Sequence, residues 1–362
     1  MRIDRIRLDH FRNYKELDLE PDRGINLFYG DNAQGKTNIL ESMFVCGTTR
    51  SHRGSKDLQM ITFGCDESHI RMDIVKNDIP YRIDMHLKKN KAKGIAINQV
   101  PVRKAGELMG ITSFVFFSPE DLGIIKNGPA LRRKFMDMEL SQLSRSYLSD
   151  LSDYNRVLVQ RNKLLKDIPY RKDLLDTLDV WDEKLCELGK KIIQERERFV
   201  RILGNQIRPI HHNLTGGRED LEVTYEKNVS SEEMEEKIKR TRERDIQMGT
   251  TMSGPHRDDL MIMSNGIDLR AFGSQGQQRT GALSLKLAEI ELVRQITSDT
   301  PVLLLDDVLS ELDQGRQKYL LSSIRDIQTM ITCTGKEDFT EFDFKIDRLF
   351  YVKEGTAQLE EI

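Results

Sequence analysis

Several large classes of protein are excluded by what this chain has little of. Its four cysteines, Cys46, Cys65, Cys186 and Cys333, are scattered without paired spacing, which rules out a disulfide framework and a cysteine-based zinc module. No stretch approaches the ~18 consecutive apolar residues that a membrane span needs. The opening "MRIDRIRLDH" is charged where a secretory signal would be apolar, so a reduced, cytoplasmic protein is expected. Lys+Arg 56 against Asp+Glu 59 leaves a net charge of -3, and any hold on nucleic acid must therefore come from a local basic face. Aromatics are 7% of the chain against 32% charged residues. That balance points to solvated helix surface and not to disorder, because apolar periodicity persists along most of the sequence.

With 362 residues there is room for about two domains of roughly 150 residues each. No internal repeat or low-complexity tract appears. From residue 1 to about residue 27, "RIDRIRL", "KELDLE" and "INLFY" alternate, predicting three short strands that feed the loop "GDNAQGKTN" and a helix "TNILESMFVCG". Over residues 68–102, "HIRMDIV", "YRIDMHL" and "IAINQV" read as an antiparallel meander, separated by "KND" and "KKNKAKG". "TSFVFFS" reads as a buried strand. Around Pro129 the texture turns helical. Leu143, Tyr147, Leu151, Tyr154 and Leu158 step by fours and threes, "DIPY" breaks the run, and Leu174, Leu178, Trp181, Leu185, Leu188 and Ile192 resume it.

That spacing predicts a short antiparallel helical hairpin with Trp181 in its seam, and "SSEEMEEKIKRTRERD" adds a charged third helix. After "SGPHRDD" strands return. "DLMIM" and "IDLRAF" flank an Asn265-Gly266 hairpin turn; "PVLLLDD", "TMITCT" and "RLFYV" are further strands, and "QGRQKYLLSSI" a helix. The expected fold is an α/β head, a mixed sheet plus an antiparallel meander, split by an inserted helical arm. Its expected bounds are 1–128 and 250–362 for the head and 129–249 for the arm.

"GDNAQGKT" fits G-x-x-x-x-G-K-[ST] in full, with Gly30, Gly35, Lys36 and Thr37 between an apolar strand and a helix. Small residues let backbone N–H groups converge on phosphate oxygens, the ammonium reaches the outer phosphates, and the hydroxyl can ligate Mg²⁺. The apolar run Val302 to Leu305 then delivers Asp306 and Asp307 at the carboxyl end of a central strand, the edge where α/β sheets bind ligands. Asp306 is placed to hold Mg²⁺ with Thr37, and Asp307 to orient or deprotonate an attacking water. A Gly-rich turn or an acidic strand cap is the alternative for either motif alone. A third stretch, "GSQGQQRT" from Gly273 to Thr280, leads into the helix "GALSLKLAEIELVRQI" and resembles a helix start built for an anion.

Taken in order, "GDNAQGKTN", "GSQGQQRT" and "LLLDDVLSELD" resemble the ABC-type ATPase heads of the structural-maintenance-of-chromosomes and Rad50 class. The length, the short arm, "NAQGKTN", "GPHRDD" and "SQGQQRT" are similar, more narrowly, to the RecF family of bacterial recombinational repair proteins. The resemblance covers essentially the whole chain. It implies that Gly30, Asn32, Gly35, Lys36, Thr37 and Asn38 form the Walker A loop and that Asp306 and Asp307 form Walker B. It also implies that Ser274, Gln275, Gly276 and Gln277 are the signature, with Ser310, Glu311, Leu312 and Asp313 the D-loop.

In that class two heads dimerise face to face, and each signature meets the γ-phosphate held by its partner's Walker A loop. The implied protein is a nucleoid-associated, ATP- and Mg²⁺-dependent homodimer. It binds double-stranded DNA, with single-stranded DNA as a second candidate, and acts with RecR and RecO to help load RecA. Asp307 stands where most of the class has Glu, which implies slow hydrolysis; the family resemblance implies that DNA stimulates it. "MITCTG" offers Thr332 and Thr334 where many members carry a switch histidine. A structural chromosome ATPase, a transporter's ATP-binding subunit and a small-molecule kinase are the alternatives; the last leaves "GSQGQQRT" and "SELD" unexplained.

Arg12 and Asn13, in "HFRNY", lie where related heads place nucleotide contacts, with a surface turn as the alternative. Ser51, His52 and Arg53 are candidates for the site's rim or a DNA contact, with an ordinary loop as the alternative, and Glu120 or Asp121 for the missing Q-loop glutamine. The basic stretches "KKNKAKG", "LRRKF" and "KIKRTRER" could grip DNA phosphates or be solvated surface. His211, His212 and His256 lack metal-site spacing and read as structural.

Overall fold

A computed structural model of the chain describes residues 1–335 and 345–361, except for the side chain of Ala105. In chain order, the first segment holds β1 (Arg2–Phe11), β2 (Tyr14–Leu19), β3 (Ile25–Tyr29), α1 (Lys36–Thr48), α2 (Asp57–Met60), β4 (Glu67–Lys76), β5 (Ile79–Lys88), β6 (Gly94–Ile97), β7 (Val100–Pro101) and β8 (Phe114–Phe117). Next come α3 (Leu122–Lys126), α4 (Pro129–Leu143), α5 (Arg145–Asp167), α6 (Leu178–Leu214), β9 (Leu221–Glu226), α7 (Met234–Met248), β10 (Asp259–Ser264), β11 (Ile267–Asp268), α8 (Leu269–Phe272) and α9 (Gln275–Thr297). The last segment holds β12 (Val302–Asp306), α10 (Gln314–Ser323), β13 (Thr329–Cys333), β14 (Arg348–Lys353) and β15 (Thr356–Glu360).

The chain forms two compact units, one from Met1–Asp121 with Lys286–Ile362, the other from Leu122–Leu285. These bounds differ from the expected cuts at 128 and 249. The reason is strand pairing: β9, which follows the long helices, bonds along β10 from Leu221↔Ser264 to Glu226↔Asp259, and so keeps residues after 249 with the helical unit.

The first unit has two sheets. An antiparallel sheet runs β2-β1-β4-β5-β6-β7, and its period-2 pattern buries Ile6, Met72 and Ile83 in register on one face. The other sheet runs β15-β14-β3-β13-β12-β8. Its pairs from β14 through β8 are parallel, and Val302 to Asp306, Phe114 to Phe117 and Thr329 to Cys333 are buried throughout, as strands covered on both faces must be. Helix α1 packs against both sheets. Eleven of its thirteen residues are buried, so it has no solvent stripe to give it amphipathic character.

In the second unit α5 and α6 form the expected hairpin, α4 and α7 pack on it, and β11-β10-β9 makes a small sheet. The stretch "IDLRAF" is a strand only at Ile267 and Asp268, because the Asp268 side chain accepts from Arg270 N and starts α8. Trp181 is half-buried, with Lys184 Nζ 5.8 Å from its ring centre. The seam buries Tyr147, Leu151, Tyr154, Leu178, Leu185 and Ile192 as expected, and it also holds an ion cluster. Arg161, fully buried, donates to Asp182 at 2.6 Å and to Asp245 and Thr251 at 2.8 Å each.

A second buried network joins Arg196 to Asp137 at 2.8 Å and to Asp258 at 3.3 Å. His256, read as structural, bonds Tyr154 Oη at 2.7 Å, and burial pushes its pKa down to about 4.

Removing one partner of a buried ion cluster strands the other charges, at a typical cost of about 3–5 kcal/mol. Arg161→Ala is therefore expected to lower unfolding free energy by about that much in urea melts, because Asp182 and Asp245 stay buried. A loss under about 1 kcal/mol would show that water or a neighbour takes over the role.

Candidate functional site

Strands β3, β13 and β12 lie side by side and parallel, with Asp306↔Thr332 and Thr332↔Phe28 in register. Their carboxyl ends therefore share one edge, and the phosphate loop leaves β3 there. The loop's two glycines are demanded by the backbone. Gly30 has φ 149°, and a Cβ on it would lie 2.3 Å from Val352 O. Gly35, at φ 117°, would place a Cβ 2.5 Å from Asn13 Nδ2. Lys36 is 4% exposed and its Nζ donates back to Gly30 O at 2.6 Å and Asp31 O at 2.9 Å. Asn32 sits exposed on the loop.

Thr37 and Asp306, far apart in sequence, are in direct contact: Thr37 Oγ1 donates to Asp306 Oδ1 at 2.7 Å. A hydroxyl and a carboxylate at the edge of a phosphate loop are the oxygen donors Mg²⁺ takes while keeping waters and phosphate oxygens, so these residues fit that ion. Burial raises the Asp306 pKa above the ordinary carboxylate value. The hydrogen bonds from Thr37 and Thr332 oppose the rise, Asp307 adds to it, and the charge of Arg53 also opposes it. A bound cation would favour the ionised form.

The strongest addition to the residues read from sequence is Thr332. Its hydroxyl donates to Asp306 Oδ1 at 2.8 Å and accepts from Asp307 N at 3.0 Å, tying both Walker B residues to the neighbouring strand. Asp307 itself has φ 51°, in the left-handed region, where the chain turns off the strand.

Asn13 and Asn38 meet at the loop. Asn38 Nδ2 donates to Asn13 Oδ1 at 2.8 Å, and Asn13 Nδ2 donates to Gln34 O at 2.9 Å. Within the chain, Arg12 is held by side chains on and after α1. Its guanidinium makes a bidentate pair with Glu41 at 2.8 Å on each arm, and also bonds Ser55 Oγ and Gln59 O. Ser51 Oγ adds a 2.5 Å bond to Glu41. Burial acts to raise the Glu41 pKa, but Arg12 and Ser51 hold it below the usual value. Arg12 thus braces α1 and the 51–55 segment from behind the loop. His52 stacks on Phe116 at 3.9 Å between ring centres. Asp121 Oδ2 accepts from Ser118 N at 2.7 Å, closing its own turn.

The signature residues lie in the second unit. Ser274 Oγ accepts from Gln277 N at 3.2 Å while Gln277 Oε1 accepts from Ser274 N at 3.0 Å. This is a reciprocal cap on the start of α9. Gln277 also reaches Glu219 at 3.3 Å. Ser274, Gln275 and Gly276 are exposed. After β12, Ser310 Oγ donates to Asp307 O at 2.8 Å, and Asp313 caps α10 by accepting from Arg316 N at 3.0 Å; Glu311 and Leu312 lie between them. Glu41, Gln34 and Thr332 carry no motif signal. A charged residue inside the otherwise apolar run of α1 is the one hint the sequence offers for Glu41.

Comparison with known proteins agrees with this geometry. Residues 2–358 match the RecF/RecN/SMC N-terminal domain family. The DNA replication and repair protein RecF of Agathobacter rectalis is 56% identical over 99% of both chains, and that of Lachnoclostridium phytofermentans is 55% identical over 99% of both. A solved structure of the recombination mediator protein RecF with ATP, from the RecFOR pathway, superposes with a TM-score of 0.93 at 37% identity, covering 99% of this chain and 97% of the other. An Smc head superposes at a TM-score of 0.59 and 14% identity, a likeness of fold. The chain therefore belongs to the RecF family of DNA replication and repair proteins, ATP-binding, SMC-like ABC-type ATPases.

Proposed function

We propose that the chain is an ATP-switched DNA clamp of recombinational gap repair. Two copies close face to face when ATP is bound, hold double-stranded DNA near junctions with single strands, and let go after slow hydrolysis. With RecR and RecO this would help load RecA. A solved relative bound to ATP is described as a recombination mediator of the RecFOR pathway, which supports the pathway part of the reading.

The observation that carries the switch is the signature helix start. Gly276 has no positive φ, and among the described residues a Cβ there would meet only Ser274 Oγ, at 4.0 Å. Alanine would suit the helix better, so nothing described within the chain calls for glycine, whereas close approach of an outside phosphate does. Ser274 Oγ accepts from Gln277 N and keeps its own hydrogen to donate. A capped, exposed helix start with small residues is an anion site; the second copy's nucleotide supplies the anion.

In this reading Lys36 exchanges its two carbonyl partners for β- and γ-phosphate oxygens, and the loop N–H groups line the phosphates. Thr37 and Asp306 hold Mg²⁺, whose charge offsets that of the triphosphate. Asp307, pinned through its N–H by Thr332, orients the attacking water. Binding energy that exists only with the γ-phosphate present makes the dimer ATP-dependent. Loss of that group loosens it.

Sedimentation with DNA, ATP and Mg²⁺ should show a dimer for the wild type and monomers for Lys36→Met and for Ser274→Arg. A mixture of the two variants should regain part of the ATPase activity, since a mixed dimer keeps one intact composite site. A wild type that stays monomeric with ATP, or no rescue at any ratio, would overturn the shared site.

Asp307→Asn should keep ATP affinity, prolong the dimer and cut turnover by about 10²–10⁴-fold, the range for a positioned proton acceptor. Thr332→Val, which keeps the strand and removes both hydroxyl bonds, should slow turnover by about 10–100-fold, the scale of an outer-shell partner. Unchanged single-turnover rates in either variant would remove that residue from the mechanism.

A further inference from the structure

The outer face of the antiparallel sheet is a lattice of charged side chains, and most of them are paired. Arg5 and Arg7 bind Asp18 at 2.5 and 3.2 Å, and Arg71 binds Asp84 at 2.8 Å. One row differs. Glu16, Asp9, His69, His86 and Gly94 follow one another across β2, β1, β4, β5 and β6 in register. This row carries two carboxylates and two imidazoles, and Gly94 at its end leaves the space beside His86 open. His69 and His86 stack with ring centres 4.0 Å apart.

Glu67, two residues before His69 on the same face, completes the group. His86 Nε2 lies 3.2 Å from Glu67 Oε2, and one donor atom from each of Glu67, His69 and His86 lies within 4.8 Å of the others. An open groove of about 730 Å³, lined by Asp9, His69, His86 and Gly94 among others, gives access from solvent. Two imidazole nitrogens and one carboxylate are a donor set for zinc-like ions, not for Mg²⁺ or Ca²⁺, which prefer all-oxygen shells. The set also differs from the Thr37 and Asp306 oxygens at the phosphate loop.

We propose that Glu67, His69 and His86 form a binding site for a divalent transition-metal ion of the zinc class, with its fourth position open to the groove. His69 is exposed and the other two are half-buried, so the rings can turn to converge on one ion without disturbing the core. The ion would clamp the start of β4 to the end of β5. Its competitor is Lys88, whose Nζ donates to Glu67 Oε2 at 3.0 Å and must give up that oxygen when the metal enters. Asp9, directly across from His69, stands ready as a further oxygen donor.

The test uses the full chain carrying Cys65→Ser, which removes the one cysteine that is not buried, stripped with chelator and kept in excess Mg²⁺. Titration with Zn²⁺ by calorimetry and with Co²⁺ by visible absorption should show one saturable ion with a tetrahedral cobalt band. His69→Ala and His86→Ala should each raise the Kd by more than the roughly 10–100-fold that loss of an outer-shell partner costs, and should abolish the band, with far-UV circular dichroism unchanged. Lys88→Gln, by freeing Glu67, should tighten Zn²⁺ binding. Equal affinity in the His69→Ala, His86→Ala double variant, no saturable binding in the parent, or weaker binding in Lys88→Gln would each overturn the site.

Discussion

The Asp306 carboxylate receives two hydroxyl groups at once, Thr37 from the first turn of α1 and Thr332 from β13. Nearly everything at the phosphate edge depends on that meeting. It fixes the phosphate loop against Walker B, and it does so across the strand that lies between β3 and β12. Because Thr332 also accepts from Asp307 N, the residue assigned to the attacking water inherits its backbone position from the residue assigned to the metal. The arrangement leaves a carboxylate buried between hydroxyls that can be satisfied in other ways, which suits a group that must accept a cation when nucleotide arrives.

Rigidity behind the loop comes from a different source. Helix α1 is buried on nearly every side between two sheets, so it cannot shift without disturbing both. Glu41 is wholly buried on this helix and would be prohibitive there without a partner. Arg12, at φ 54° beyond the end of β1, supplies a two-pronged partner and ties in Ser55 and the Gln59 carbonyl. Ser51 closes the far side of the carboxylate. Arg12 therefore fixes the position of α1, the helix that begins at Lys36, and the left-handed turn that carries it stores part of that constraint.

The sequence was legible where a single stretch of backbone fixes its own chemistry. The phosphate loop needs glycine at φ 149° and 117° whatever surrounds it, and a strand buried on both faces must read as an unbroken apolar run ending at its ligands. Order along the chain then sufficed to recognise the head. Thr332 was legible only as an absent histidine, because its role comes from two hydrogen bonds to a neighbouring strand. Arg12 has the composition of a phosphate contact, and its pairing with Glu41 shows only once the fold buries Glu41 opposite it.

The helical seam was legible in its apolar residues but not in its ions. Trp181 has the right spacing but is only half-buried, while Arg161 and Asp182 join Tyr154, Leu178 and Leu185 among the buried residues, a choice that periodicity of apolar residues cannot foresee. β9 shows ordinary alternation, with Leu221 and Tyr225 buried, but its partner was legible only as half of another hairpin.

Helix α9 places a mechanical demand on the proposed cycle. Its first turn carries the signature in the unit of residues 122–285, and the same helix continues from Lys286 into the unit that holds the phosphate loop. Lys286 and Glu289, both buried, form a 2.6 Å ion pair just past that boundary, and Leu287, Ala288, Ile290 and Leu292 are buried around it. In the proposed cycle a phosphate received at Ser274 therefore meets the start of a helix whose later turns are held by buried side chains, and not a free loop.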